Sequence, residues 1–177
     1  MPAEIDKAKL HELIVLIAAR MEADDQPGRG RIKLAKLLWL SDFEAHRRLG
    51  RSITGERYIA DELGPAPADE MLALRDLEAA GDLVIERGYG KQQLIHATRP
   101  ADLSRFTEGE GTVIEETLSH YRNWTGSQLV ELAHEYPGWK LAQRGSEIPY
   151  HSVHVSAKGP TERDIERARE LARDIPV

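Results

Sequence analysis

The stretch IKLAKLLWLSDFEAHRRLGRSITGERYIADELGPAPAD, residues 32–69, decides how this chain folds. Its first half has the period of a helix. Leu34, Leu37, Leu38, Ser41, Asp42, Ala45 and Leu49 recur at three- and four-residue spacing, which is one face of a helix with 3.6 residues per turn. Gly50 is the natural stop, because glycine enters the left-handed conformation at little steric cost. A turn over residues 51–55 leads into a short strand-like run at Tyr58, Ile59 and Ala60. Gly64-Pro65-Ala66-Pro67 then approaches a second helix, with Pro67 near its start, where a missing N–H matters little. Asp42 lies on the apolar face, and an unpaired carboxylate there is costly. Arg57 or a backbone N–H of the turn is its expected partner.

Upstream, Ile5, Leu10, Leu13, Ile14, Ile17 and Met21 form a dense apolar stripe on a first helix that ends near Asp24. The loop Gln26-Pro27-Gly28-Arg29-Gly30 breaks the chain there. Arg29, Arg31, Lys33 and Lys36 make a local basic cluster at the entry to the next helix. It reads as a solvated face or as a docking patch for an acidic partner or phosphate. Downstream, residues 69–80 form a helix with Met71, Leu74 and Leu77 inward, and Gly81 ends it. Strands at 83–85 and 93–97 flank a turn at 87–91, so a hairpin follows the helix. That order is winged-helix-like. The helix carries Asp69, Glu70, Asp76 and Glu78 against Arg75, which repels phosphate, while the wing is modestly basic at Arg87, Lys91 and Arg99.

Thr107 with Glu110, and Thr125 with Gln128, are capping boxes that open two further helices. The first buries Val113, Ile114, Leu118 and Tyr121; the second buries Leu129, Val130, Leu132 and Ala133. Pro137-Gly138 breaks the second, and Trp139, Leu141 and Ala142 begin another turn. Residues 151–155 alternate, with Val153 and Val155 on one side, as in an edge strand or an extended arm behind Pro149. Thr161 caps a last helix whose narrow apolar face is Ile165, Ala168, Leu171 and Ala172, behind a hinge at Gly159-Pro160. The expected division is therefore a domain over residues 1–158 and a C-terminal helix over 159–177, appended to that domain or packed on it.

A length of 177 residues suits one domain, and 41% hydrophobic content supplies a core. The formal net charge of −6 disfavours a large nucleic-acid footprint. Cysteine is absent, which rules out disulfides and thiolate chemistry and fits the cytoplasm. The charged start MPAEIDKAKLHEL is not a signal peptide, and no apolar run nears the roughly 20 residues of a membrane helix. The sequon Asn123-Trp124-Thr125 reads as chance without a secretory signal.

Two blocks of this sequence resemble the SocA-like, or Panacea, antitoxin domain family. The first is Lys33, Lys36, Leu37, Leu38, Trp39 and Asp42, followed by Gly50 and Gly64-Pro65. It is similar to the family's lysine-rich start, KLLYxA-type helix, glycine turn and YGPV-type element. The second is ELAHEYPGWKLA, with His134, Pro137 and Trp139. The resemblance spans about residues 5–148; Trp39-Leu40 stands where tyrosines are common, and Leu63 precedes Gly64-Pro65. It implies an antitoxin of a bacterial or prophage toxin–antitoxin pair, acting by direct protein–protein contact on a toxin encoded by a neighbouring gene.

Catalytic and metal patterns fail on spacing. His134-Glu135 opens a zinc-protease motif, but Gly138 stands where the second histidine is required. His151 and His154 are too few for a metal, and Gly88-Tyr89-Gly90 lacks the helix start of a phosphate loop. Pairs such as Glu44 with His46 arise by chance among 31% charged residues. The expectation is a mainly α-helical α+β domain with no enzyme activity, no cofactor and no metal. His134 is expected to pack beneath Trp139 with a ring N–H on a carbonyl, or else to touch a partner. Trp39 and Trp139 belong to the core, and Tyr150, on the arm, to an interface. Arg29, Arg31, Lys33, Lys36, His134 and Tyr150 are the candidate partner-binding residues. The alternative is a DNA-binding transcriptional regulator acting on operator DNA; a third reading is a phage-derived host-interaction protein.

Overall fold

Helix α2 (Arg31–Leu49) is the axis of the molecule. The computed structural model describes residues 4–155, 161–163 and 165–167. Every residue of α2 from Lys33 to Trp39 is buried, so this segment has no solvent face and needs neighbours on all sides. They are α1 (Lys7–Ala23), α4 (Glu108–His120), α5 (Gly126–Glu135), strand β2 (Gly64–Pro67) and a 3-10 turn at Tyr150–His154. The helix ends as its sequence dictates, on Gly50 at φ 74°, whose N–H returns to the His46 carbonyl. Its last turn overhangs the core, and Leu49, expected on the apolar face, is 40% exposed.

Helix α1 buries the expected stripe against α2 and stops at Ala23. Ion pairs fasten it to α4, through Lys9 with Glu110 (2.8 Å) and Arg20 with Glu115 (2.6 Å), and to the loop at Arg99, through Glu12 (2.8 Å); Arg99 also holds Asp82.

The segment after α2 differs from its sequence reading. Gly64-Pro65-Ala66-Pro67 is not a lead-in to a helix; it is β2, antiparallel to β1 (Tyr58–Asp61) in the register Tyr58↔Pro67 and Ala60↔Pro65. Prolines are tolerated here because of what β1 does on its other side. Ala60 donates to the Ser146 carbonyl (2.9 Å) and Tyr58 accepts from the Ile148 N–H (2.7 Å). The residues opposite the two prolines thus spend backbone groups on segment 145–148, and Pro65 and Pro67 have no ladder bond to supply.

Helix α3 (Glu70–Ala79) buries Ala73, Leu74 and Leu77, but Met71 is 40% exposed. The inward place at the start of α3 belongs to Glu70, held by Arg31 at 3.0 Å. Gly81 follows at φ 79°, and the hairpin β3 (Leu83–Arg87) and β4 (Gln93–Ala97) pairs in the register Leu83↔Ala97. Both capping boxes form, at Thr107–Glu110 and Thr125–Gln128. Pro137 takes the first turn of the short helix α6 (Pro137–Leu141).

Residues 150–154 are a 3-10 turn rather than a strand or an extended arm. Ser152 is buried and shares a 2.7 Å hydrogen bond with the Tyr136 hydroxyl, which curls the segment onto α2. The main core joins α1, α2, α3, the β3–β4 hairpin, α4 and α5; a second, aromatic cluster of Trp39, Phe43 and Tyr58, with Tyr136, Trp139 and Tyr150 against it, fills the space beside β1. Residues 162–163 and 165–167 are helical, as expected of the last helix, and Ile165 is 39% exposed. The hinge at Gly159-Pro160 and the face at Ala168, Leu171 and Ala172 lie outside the described residues. The fold is α+β and mainly α-helical, with two small antiparallel hairpins among the described residues.

Candidate partner-binding surface

A buried polar centre beside α2 holds the turn that follows the helix. Asp42 is fully buried and accepts four hydrogen bonds: from the Ile53 and Thr54 N–H groups (2.9 and 2.8 Å), the Thr54 hydroxyl (2.5 Å) and the Tyr58 hydroxyl (2.8 Å). The turn supplies its partners, as expected of a backbone solution, and Arg57 does not; it is exposed. Burial pushes the Asp42 carboxyl up from its ordinary range, against the pull of those donors. Beside it, Glu56 is buried, accepting from the Arg57 N–H at 2.6 Å, and burial pushes its carboxyl up to about 7. The arrangement pins the turn after α2, and with it β1, to the helix.

Two of the four expected surface cations are interior. Lys33 is 0% exposed, with Nζ donating to the carbonyls of Arg122 (3.0 Å) and Pro27 (3.4 Å). Lys36 is 2% exposed, with Nζ on the Pro65 carbonyl at 2.7 Å. Burial pushes each amine down to about 8. These lysines staple α2 to loop and strand carbonyls, so the four cations do not form one surface cluster. The physical reason is that α2 is covered on the face its sequence period assigned to solvent.

Arg29, Arg31 and His134 do come together, on one cleft of about 830 Å³ between the start of α2 and helix α5. Ile32, Leu63 and Val130 are apolar residues of its lining, Lys91 reaches it from the hairpin turn, and Glu131 stands on the α5 side. Gly28 and Gly30 let the walls close up: a Cβ on Gly28 would meet the Gly126 nitrogen at 3.1 Å, and one on Gly30 the Gln93 carbonyl at 3.0 Å. His134 stacks on Trp139 (centroids 4.5 Å apart) and its Nε2–H donates to the Glu62 carbonyl at 2.9 Å, the packing its sequence position suggested. Trp139 donates its indole N–H to the Asp61 carbonyl at 2.8 Å.

Tyr150 lies apart from that cleft. Its ring packs on Phe43 (4.7 Å) and His46 (5.4 Å), and its hydroxyl donates to the Glu56 carbonyl. It is half-buried against α2 rather than carried on a free arm. A second groove, of about 560 Å³, opens between α2, α4 and α5, with an aromatic floor of Trp39, Phe43, Tyr121 and Tyr136. Its charged rim is largely self-paired, Arg47 with Glu44 and Arg48 with Glu116.

Among the described residues, no group of three or more His, Asp or Glu side chains is placed to hold a metal, and no helix is long and apolar enough to cross a membrane. Sequence reasoning missed Lys91, Ile32, Leu63 and Val130 as cleft residues. Leu63 carried a usable signal, an apolar side chain in the turn before Gly64-Pro65; Lys91 carried none, because its approach is a long-range consequence of the hairpin.

A protein-family model described as Antitoxin SocA-like, Panacea domain matches residues 34–140. No curated protein matches the chain, and no solved structure does. The matched span runs from the first turn of α2 to α6. It takes in Lys36, Asp42, Gly64-Pro65, His134 and Trp139, and leaves out Arg29, Arg31, Lys33 and Tyr150.

Proposed function

The chain belongs to the antitoxin SocA-like, Panacea domain family, and from that premise we propose that it neutralises a cognate protein toxin, encoded by a neighbouring gene, through direct protein–protein contact. The observation that carries the reading is the family match over more than half of the chain, covering the body built around α2. The setting is a bacterial or prophage toxin–antitoxin system in the cytoplasm, and the protein acts as a binding module rather than an enzyme. Residues 1–158 serve as the antitoxin domain and 159–177 as a C-terminal helix, appended to it or packed on it.

Neutralisation is steric: a folded surface covers the part of the toxin that acts. Arg29, Arg31 and His134 contribute to that surface, with Tyr150 as a second contact. Lys33 and Lys36 act from beneath it by fixing α2, so charge reversal at Lys33 reports on folding; Arg29, which faces only the exposed Asp25, is the position that reports on contact.

Co-expression with each neighbouring open reading frame, under separate promoters, tests the reading. Growth arrest by one neighbour alone, relieved by this protein and accompanied by co-purification, supports it. No toxic neighbour, together with salt-sensitive shifts of the protein's own promoter DNA, replaces it with the regulator reading, which the α3–hairpin order favours.

A further inference from the structure

The cleft between the start of α2 and helix α5 gathers three cations. The chain carries a net −6, yet Arg29, Arg31 and Lys91 line this opening against one acidic residue of its lining, Glu131 on the α5 side. These cations are available. Arg31 gives Nε and Nη2 to Glu70 and keeps Nη1 free of any partner among the described residues. Arg29 faces Asp25 at 3.6 Å, and Asp25 is 95% exposed, a pair that exchanges readily with a competing carboxylate. Lys91 makes no ion pair among the described residues. Between them lies apolar surface: Ile32 is 48% and Leu63 41% exposed, with Val130 beside them.

We infer that this cleft receives an acidic, amphipathic segment of the partner protein. An apolar side chain of the segment rests on Ile32, Leu63 and Val130, and flanking carboxylates meet Arg29, Arg31 and Lys91. Charge complementarity selects this occupant. A nucleic-acid backbone asks for a continuous cationic track and has no use for three apolar residues between the cations. A carboxylate-bearing segment uses both parts, and a bidentate carboxylate suits the guanidinium fork of Arg29. On a chain of net charge −6, a cationic cleft also sets the orientation in which such a partner docks. The inference rests on the antitoxin reading and names the chemistry of the toxin surface that the reading requires.

The test uses the full chain and the neighbouring gene product that co-purifies with it. Affinity is measured by titration calorimetry for the wild type, for the double variant Arg29→Glu/Lys91→Glu, and for Ile32→Glu, with Glu135→Lys at the second groove as the comparison. The charge-reversal pair touches exposed ends of side chains, so it is expected to keep the wild-type melting temperature. Its affinity is expected to fall about tenfold or more, with a weaker salt dependence, as rim and buried charges do at interfaces. Ile32→Glu is expected to fall likewise, and Glu135→Lys to bind as the wild type does. Binding within about twofold of wild type by a folded Arg29→Glu/Lys91→Glu variant overturns the inference and leaves the antitoxin reading intact. Wild type that binds no neighbouring product overturns both. Promoter-DNA binding that the double variant loses while it still binds the toxin assigns the cleft to nucleic acid and overturns the inference.

Discussion

Asp42 meets four donors in a site closed to solvent, and its removal leaves those donors without partners. Asp42→Ala is therefore expected to cost about 3 kcal/mol or more in urea unfolding, and Tyr58→Phe about 1–2 kcal/mol, since it deletes one donor and leaves the rest. Glu56 makes a different prediction. Burial, with the charges of Asp69 and Asp42 adding to it, lifts its carboxyl from 4.5 to about 7, against a backbone N–H bond from Arg57. The folded state then holds a proton that the unfolded state has released, so this group's contribution to stability is greatest below 4.5 and falls as pH rises to about 7. Lys36 has the opposite sign in a higher window: its amine is lowered from 10.5 to about 8, so stability rises between those values. Urea midpoints measured across this range should show a shallow minimum at pH 7 to 8 in the wild type. Glu56→Gln should flatten the lower limb and Lys36→Met the upper; unchanged limbs in both variants would refute the assignment. Burial of Lys36 is the residue-scale fact that sequence periodicity could not supply, because period alone places a polar residue on the solvent side. One signal existed. In KLAKLLW only the two lysines are polar, which leaves little of a solvated face.

Gly64 shows how one residue joins two elements. It holds φ 98°, and a Cβ there would stand 2.5 Å from the Ala133 Cβ on α5. Gly64→Ala is thus expected to destabilise by about 2 kcal/mol or more, by strain at a positive φ and by pushing β2 off α5. Thr107→Ala and Thr125→Ala should each cost about 1 kcal/mol, the usual value of a lost N-cap. Both capping boxes were legible because a cap is a local object, complete within four residues. The periods of α1 and α2, the Gly50 stop and the β3–β4 hairpin were legible for the same reason. Strand β2 was not. Whether Pro65 and Pro67 fit a ladder depends on which neighbour receives the backbone groups of Tyr58 and Ala60, and that neighbour lies at residues 145–148, far along the chain. Residues 151–155 misled in the same way: their alternation suggested a strand, and the bond between Ser152 and Tyr136 curls them into a turn.

At the scale of the molecule, α2 turns a set of short segments into one body. It is covered by α1, α4, α5, β2 and the 3-10 turn, and the family match begins within it. Of the six residues singled out from sequence, Arg29, Arg31 and His134 share a cleft, Lys33 and Lys36 brace α2 from inside, and Tyr150 packs on its far end. Nearness in sequence suggested one basic cluster; the all-round burial of α2 divides it into an outer pair and an inner pair. The claim that matters most is neutralisation by stoichiometric contact. The most direct measurement is titration of the purified toxin's activity with this protein, with light scattering on the mixture. Activity is expected to fall linearly to zero at a fixed molar ratio, with a complex of that ratio present, and Arg29→Glu/Lys91→Glu to shift the titration to higher concentration. Full toxin activity in the presence of excess protein, with protection seen only in cells and only when the promoter is intact, would contradict that claim.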